Sequence, residues 1–171
     1  MTDPSSSKIG ISSAVGMPEF GVMVFSFLLH FVWEFIQVPT YEGMAEMEHW
    51  SAIKICTWAT FGDVGFALTA FWITAVLARS RRWIYSPRAW HLLTYLAVGI
   101  ALTIGFEYYY TEVAKRFSYS DLMPLVPPLG TGLSPLLQWV IIPLLVIWFT
   151  QRFVEQNVKV SDSERLQKAQ N

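Results

Sequence analysis

The stretch LLHFVWEFIQ, residues 28–37, decides the fold, because it is apolar enough for lipid yet carries a histidine, a glutamate and a glutamine. His30, Glu34 and Gln37 are spaced four and three residues apart, so on a helix they share one face. Ionisable groups in a bilayer core cost several kcal/mol on insertion scales unless they are paired or hydrated. That face therefore points into a bundle of helices.

The rest of the chain supplies the bundle. Of its 171 residues, 53% are hydrophobic and only 15% charged, whereas a soluble domain carries about a quarter charged residues. Crossing a hydrocarbon core of about 30 Å takes roughly 20 helical residues, and four runs are long enough: 20–38, 57–78, 90–111 and 133–150. The expected fold is an all-α polytopic integral membrane protein, a four-helix bundle over 20–150. Residues 1–19 read as a flexible N-terminus, with one lysine and no continuous apolar stretch of the signal-peptide kind. Residues 151–171 read as a polar tail, solvated or a frayed helix.

Orientation follows from the basic residues. Arg79, Arg81, Arg82 and Arg88 lie between the second and third spans, while the loop after the first span carries Glu42, Glu46 and Glu48. Cytoplasmic loops are enriched in Lys and Arg, so the arginine loop and both termini are expected in the cytoplasm, in a bacterial inner membrane. Of the 12 basic residues, only Lys54, Lys115 and Arg116 then fall outside. With a net charge of -1 and no basic tract, nothing suggests nucleic acid. A single cysteine, Cys56, forms no internal disulfide.

Two outer loops carry further expectations. In residues 41–50, Met44, Met47 and Trp50 are placed for one side of a short interfacial helix. Residues 121–132, rich in Pro and Gly, cannot be regular helix; they read as an ordered cap or a shallow re-entrant segment. His49 reads as solvent-exposed.

The intramembrane polar groups fall at one level. At roughly 1.5 Å per residue, Glu34 lies about 6 Å from the outer end of its span, His30 about 12 Å, Asp63 about 9 Å, and Glu107 and Gln138 about 6 to 8 Å. Thr60 with Asp63, Thr103 with Glu107, and Ser134 with Gln138 form stripes on the other three helices. The expectation is a polar pocket, open to or roofed from the outer side. Gly62, Gly65, Gly99 and Gly105 beside the stripes allow close packing or room for a ligand. Pro143 frees the carbonyl of Trp139, so a kink is expected at the pocket floor.

One histidine and three carboxylates in a water-poor cavity suit proton transfer, one group donating while another accepts. His30 and Glu34 are the expected acid/base pair, Asp63 and Glu107 their charge partners, and together these four are the candidate catalytic residues. Trp33, Gln37, Thr103, Gln138 and Trp139 are the candidate substrate contacts, with Trp33 and Trp139 able to stabilise a carbocation. The expected partner is a membrane lipid or hydrophobic small molecule, and the chemistry needs no cofactor. Double-bond isomerisation or cyclisation of an isoprenoid-type lipid fits this set. A divalent metal at His30, Glu34 and Asp63 is the less favoured use of the same residues. The opposing class is a non-enzymatic membrane subunit for assembly or for proton or small-solute passage, which would require a homo-oligomer to enclose a path.

The HFVWE of residues 30–34 and the LQWVIIP of residues 137–143 together resemble the emopamil-binding/sterol-isomerase (EXPERA) group. That resemblance implies a pocket for sterols or amphiphilic amines and proton shuttling across a lipid double bond. On it, His30 and Glu34 match the first helix, Asp63 the second carboxylate, and Gln138 and Trp139 the amide and aromatic. The group has five spans, and this chain four. The block RFSYSDLMPLVPPLGTGLSPLLQW, residues 116–139, also looks like short bacterial four-span membrane proteins of unassigned function.

Overall fold

A computed structural model describes residues 17–170, with side chains described through Gln156. Most of the expected N-terminus and the outer part of the tail's side chains lie outside that range. Four helices carry the fold: α1 Pro18–Gln37, α2 His49–Ala78, α3 Ala89–Tyr108 and α4 Leu133–Gln170. Each contains a stretch long and apolar enough to cross a membrane. They pack into an all-α four-helix bundle in which α1 touches α2 and α4, and α3 touches the same two.

The helices form where local chemistry permits. Pro18 occupies the first turn of α1, where its missing N–H is no loss. α2 starts at His49, ahead of the expected 57, because the Glu48 carboxylate accepts from the backbone N–H groups of Trp50 and Ser51 at 2.9 and 2.8 Å. These are two of the donors that every helix start leaves unpaired. Arg79 ends α2 in a left-handed conformation, φ 52°. α4 runs unbroken through Pro143 to Gln170.

The buried core fills the bundle's centre with Val22, Phe71, Tyr95, Trp139, Ile142 and Val146. Outward-facing apolar side chains such as Val32, Trp58, Val76 and Leu93 are more than half exposed, as lipid-facing residues must be in a bundle that belongs in a bilayer. At the arginine end, Arg81 binds Glu19 of α1 through Nε and Nη2 at 2.7 and 2.8 Å. Its guanidinium also lies over the Trp72 ring.

The opposite end is roofed by two loops. The expected interfacial helix at 41–50 does not form: residues 42–47 are turns, with Gly43 at φ 71°, and Trp50 belongs to the first turn of α2. Residues 121–132 form a small hairpin, β1 Leu125–Val126 against β2 Thr131–Gly132, with Met123 buried beneath it against Gly132. The two loops are joined by an antiparallel bridge between Tyr41 and Tyr119. Backbone bonds Glu42 N to Ser118 O and Ser120 N to Thr40 O, both 3.0 Å, continue the join.

Candidate functional site

Side chains of α1 and α2 converge on one amide, Gln138 of α4. Its Nε2 lies 2.7 Å from His30 Nδ1, 3.1 Å from Asp63 Oδ2 and 3.3 Å from Glu34 Oε1. His30 Nδ1 itself lies 3.4 Å from Asp63 Oδ2, and the other Asp63 oxygen accepts from Trp139 Nε1 at 3.3 Å. Two helical stripes, one on α1 and one on α4, are thus tied to a carboxylate on α2. Four side chains expected from spacing, His30, Glu34, Asp63 and Gln138, meet in space from three helices.

An amide nitrogen carries two hydrogens, and three acceptors surround this one. Its two hydrogens are thus shared among His30, Asp63 and Glu34.

A second layer fixes Glu34. Gln37 Nε2 donates to Glu34 Oε1 at 2.8 Å, Ser134 Oγ donates to Gln37 Oε1 at 2.9 Å, and Trp33 Nε1 donates to Ser134 Oγ at 3.2 Å. Trp33 is thereby a support between α1 and α4, away from the cavity wall. Glu107 of α3 accepts from the Tyr119 hydroxyl, so it is held inside by the roof instead of reaching outward to the interface. Burial, and then the hydrogen bond to Glu107, pushes the Tyr119 phenol up. Burial, followed by the charges of Glu107 and Glu34, does the same for Tyr41.

Beside these groups lies a cavity of about 1050 Å³. Glu34, Asp63, Thr103, Glu107 and Gln138 give it a polar side, while Phe66 and Phe106, in edge contact at 4.7 Å, help give it an apolar one. Gln37 and Trp139 also line it; His30 and Trp33 do not. His30 is fully buried, with its ring 5.2 Å from that of Trp139, and it stands behind the floor. Its expected direct contact with substrate is thus replaced by contact with Asp63 and Gln138, which do face the cavity. His30 Nε2 has no hydrogen-bond partner among the described residues.

Helical spacing gives the level of a residue along the bundle but only loosely its angle around it, which is why His30 looked like a lining group. Spacing also missed Tyr41 and Tyr119. The alternation of Phe117 and Tyr119 in an extended segment was the available signal, since alternate residues of a strand face the same side. Gly99 packs directly against the Trp139 ring, where an added Cβ would collide with it, whereas Gly62 and Gly65 face open space. Thr103 is turned partly to its own helix, donating to Gly99 O at 3.0 Å.

Among the described residues, no three His, Cys, Asp or Glu side chains gather as a metal-ligand set; Gln138 sits where His30, Glu34 and Asp63 approach one another. Comparison with protein-family models, curated proteins and solved structures finds no match to this chain.

Proposed function

We propose that this membrane protein binds a hydrophobic, lipid-like molecule in the cavity and moves protons on it by general acid/base catalysis. What supports the reading is the pair of carboxyls, Glu34 and Asp63, that border one apolar-walled cavity and share the Gln138 amide within 3.3 Å. A polar cluster serving assembly alone needs no cavity beside it.

The chemistry that fits is migration of a carbon–carbon double bond. The protonated carboxyl of the pair gives its proton to one alkene carbon, and the π electrons form the new C–H bond. The adjacent carbon becomes cationic, and the faces of Phe66, Phe106 and Trp139 are suited to stabilise it. The ionised carboxyl removes a proton from the next carbon, whose C–H electrons become the new π bond. The lipid neither gains nor loses atoms, and one proton has passed from one carboxyl to the other. The pair returns to its starting state when the second carboxyl passes its proton back to the first; Gln138 holds the two side by side, and His30, 3.4 Å from Asp63, is placed to hold the proton meanwhile. His30 is here a positioning and proton-holding residue.

Mass spectrometry of lipids retained after gentle detergent extraction tests the binding step. A species enriched on the wild type and depleted on Glu34→Ala at equal folded yield is expected. Identical bulk lipid on both proteins would overturn the proposal.

A further inference from the structure

The cavity is tied by hydrogen bonds across its top and not along one side. Over the top, the Tyr41–Tyr119 bridge and two backbone hydrogen bonds join the outer loops. Ser118 Oγ ties to Glu42 at 2.5 Å, Ser120 Oγ to Pro39 O at 2.9 Å, and Tyr119 to Glu107. The seam between α2 and α3 is different. Among the described residues no side-chain hydrogen bond crosses it, and the aromatic contact that closes it is Phe66 with Phe106. Beside that contact, Trp58, Ala59 and Gly62 of α2 line the cavity and are exposed, as Phe106 is; Glu42, Gly43 and Ser118 at the roof also line it and are exposed, but there the loops are tied by hydrogen bonds. At Gly62, a Cβ would meet nothing within 4 Å. The seam between α2 and α3 is thus held by apolar contact alone among the described side chains.

The charge at the rim points to what passes. Lys115 and Arg116 border the same cavity at its roof, are exposed, and take part in no ion pair among the described residues; Arg116 lies over the Tyr110 ring. Glu42, the acidic neighbour on that rim, is engaged by Ser118. A guanidinium and an ammonium at headgroup level are donors for a phosphate.

We infer that the cavity opens sideways between α2 and α3, and that it admits a phosphate-bearing lipid from the leaflet opposite the arginine loop. The phosphate rests on Lys115 and Arg116, and one chain enters past Gly62 to reach Glu34 and Asp63. This inference rests on the reading of the cavity as a lipid site and adds the route and the headgroup. It explains why the roof is pinned, since a lipid taken from the bilayer has no need of an opening to water.

The test is photo-crosslinking in phosphatidylcholine vesicles doped with phosphatidylglycerol carrying a mid-chain diazirine, with diacylglycerol bearing the same chain as the uncharged probe. Adducts are mapped by peptide mass spectrometry. In the wild type, the phosphatidylglycerol probe is expected to label the cavity residues Asp63, Thr103 and Trp139. Filling the seam with Gly62→Phe or Ala59→Phe should abolish that label while leaving labels on the lipid-facing surface, which also reports that the variants remain folded and inserted. Lys115→Ala with Arg116→Ala should reduce phosphatidylglycerol labelling to the level of diacylglycerol. Cavity labelling undiminished in both seam variants overturns the lateral route while leaving lipid binding intact. Equal labelling by the two probes in the wild type overturns phosphate recognition. Surface labels without any in the cavity overturn this inference together with the lipid-site reading.

Discussion

Asp63 carries more of the site than its position in the sequence suggests. Both of its oxygens accept, one from Gln138 and one from Trp139, and all three side chains are largely buried. Removing the acceptor leaves the buried Trp139 Nε1–H unpaired, a loss of about 1–3 kcal/mol, while the Gln138 amide keeps His30 and Glu34 as acceptors. Asp63→Ala should therefore lower stability by at least the smaller figure, read as an earlier unfolding midpoint in mixed micelles, and Asp63→Asn, which retains one acceptor oxygen, by less. Equal stability of Asp63→Ala and wild type would remove Asp63 from the network. The Glu48 carboxylate makes a separate prediction. Backbone hydrogen bonds from Trp50 and Ser51 hold it below the usual carboxylate range. Its contribution to the start of α2 is thus present above the ordinary carboxylate pKa and lost as pH falls through the depressed folded value. Protection of the Trp50 and Ser51 amides, the exchange rate taken relative to the intrinsic rate at each pH, should fall on acidification in the wild type and be low at every pH in Glu48→Ala.

At the scale of the helices, close packing of α3 on α4 positions the cluster. Gly99 faces the Trp139 ring with no room for a methyl group, and Trp139 is the residue that holds Asp63 Oδ1. Gly99→Ala should cost about 1–3 kcal/mol, the range for overpacking. It should also displace the Trp139 ring, seen as a change in near-ultraviolet circular dichroism that Gly62→Ala does not produce. The sequence showed that glycines flank the polar stripes, but not which of them packs and which leaves space, because that depends on the neighbour across the seam. The spans themselves were legible because hydropathy is a property of each segment alone. The early start of α2 was not: it depends on one carboxylate turning back onto two backbone N–H groups. The turn at 42–47 defeated the expected interfacial helix for a similarly local reason, a left-handed Gly43.

Across the whole molecule, the polar level of the bundle was visible in the sequence because four stripes fell at the same depth. Their convergence on Gln138 was not, since contacts such as Trp33 to Ser134 or Gln138 to Asp63 join residues far apart in the chain. The roof was hidden for the same reason, as Tyr119 and Tyr41 meet only once the loops have folded over the bundle. The basic residues also predict a sidedness. With Cys56 buried, a cysteine placed at Arg82 and one placed at Glu46 should react with a membrane-impermeant maleimide from opposite faces of sealed vesicles. Reaction of both from one face would refute the orientation.

Proton transfer to carbon at Glu34 and Asp63 is tested most directly by hydrogen–deuterium exchange into the retained lipid. Protein purified with its bound lipid is incubated in deuterated buffer, and the extracted lipid is analysed for carbon-bound deuterium. Incorporation by the wild type that is lost in both Glu34→Gln and Asp63→Asn, with the lipid still bound, is the predicted result. Retained lipid that acquires no carbon-bound deuterium, or acquires it equally in all three proteins, would contradict acid/base catalysis by this pair.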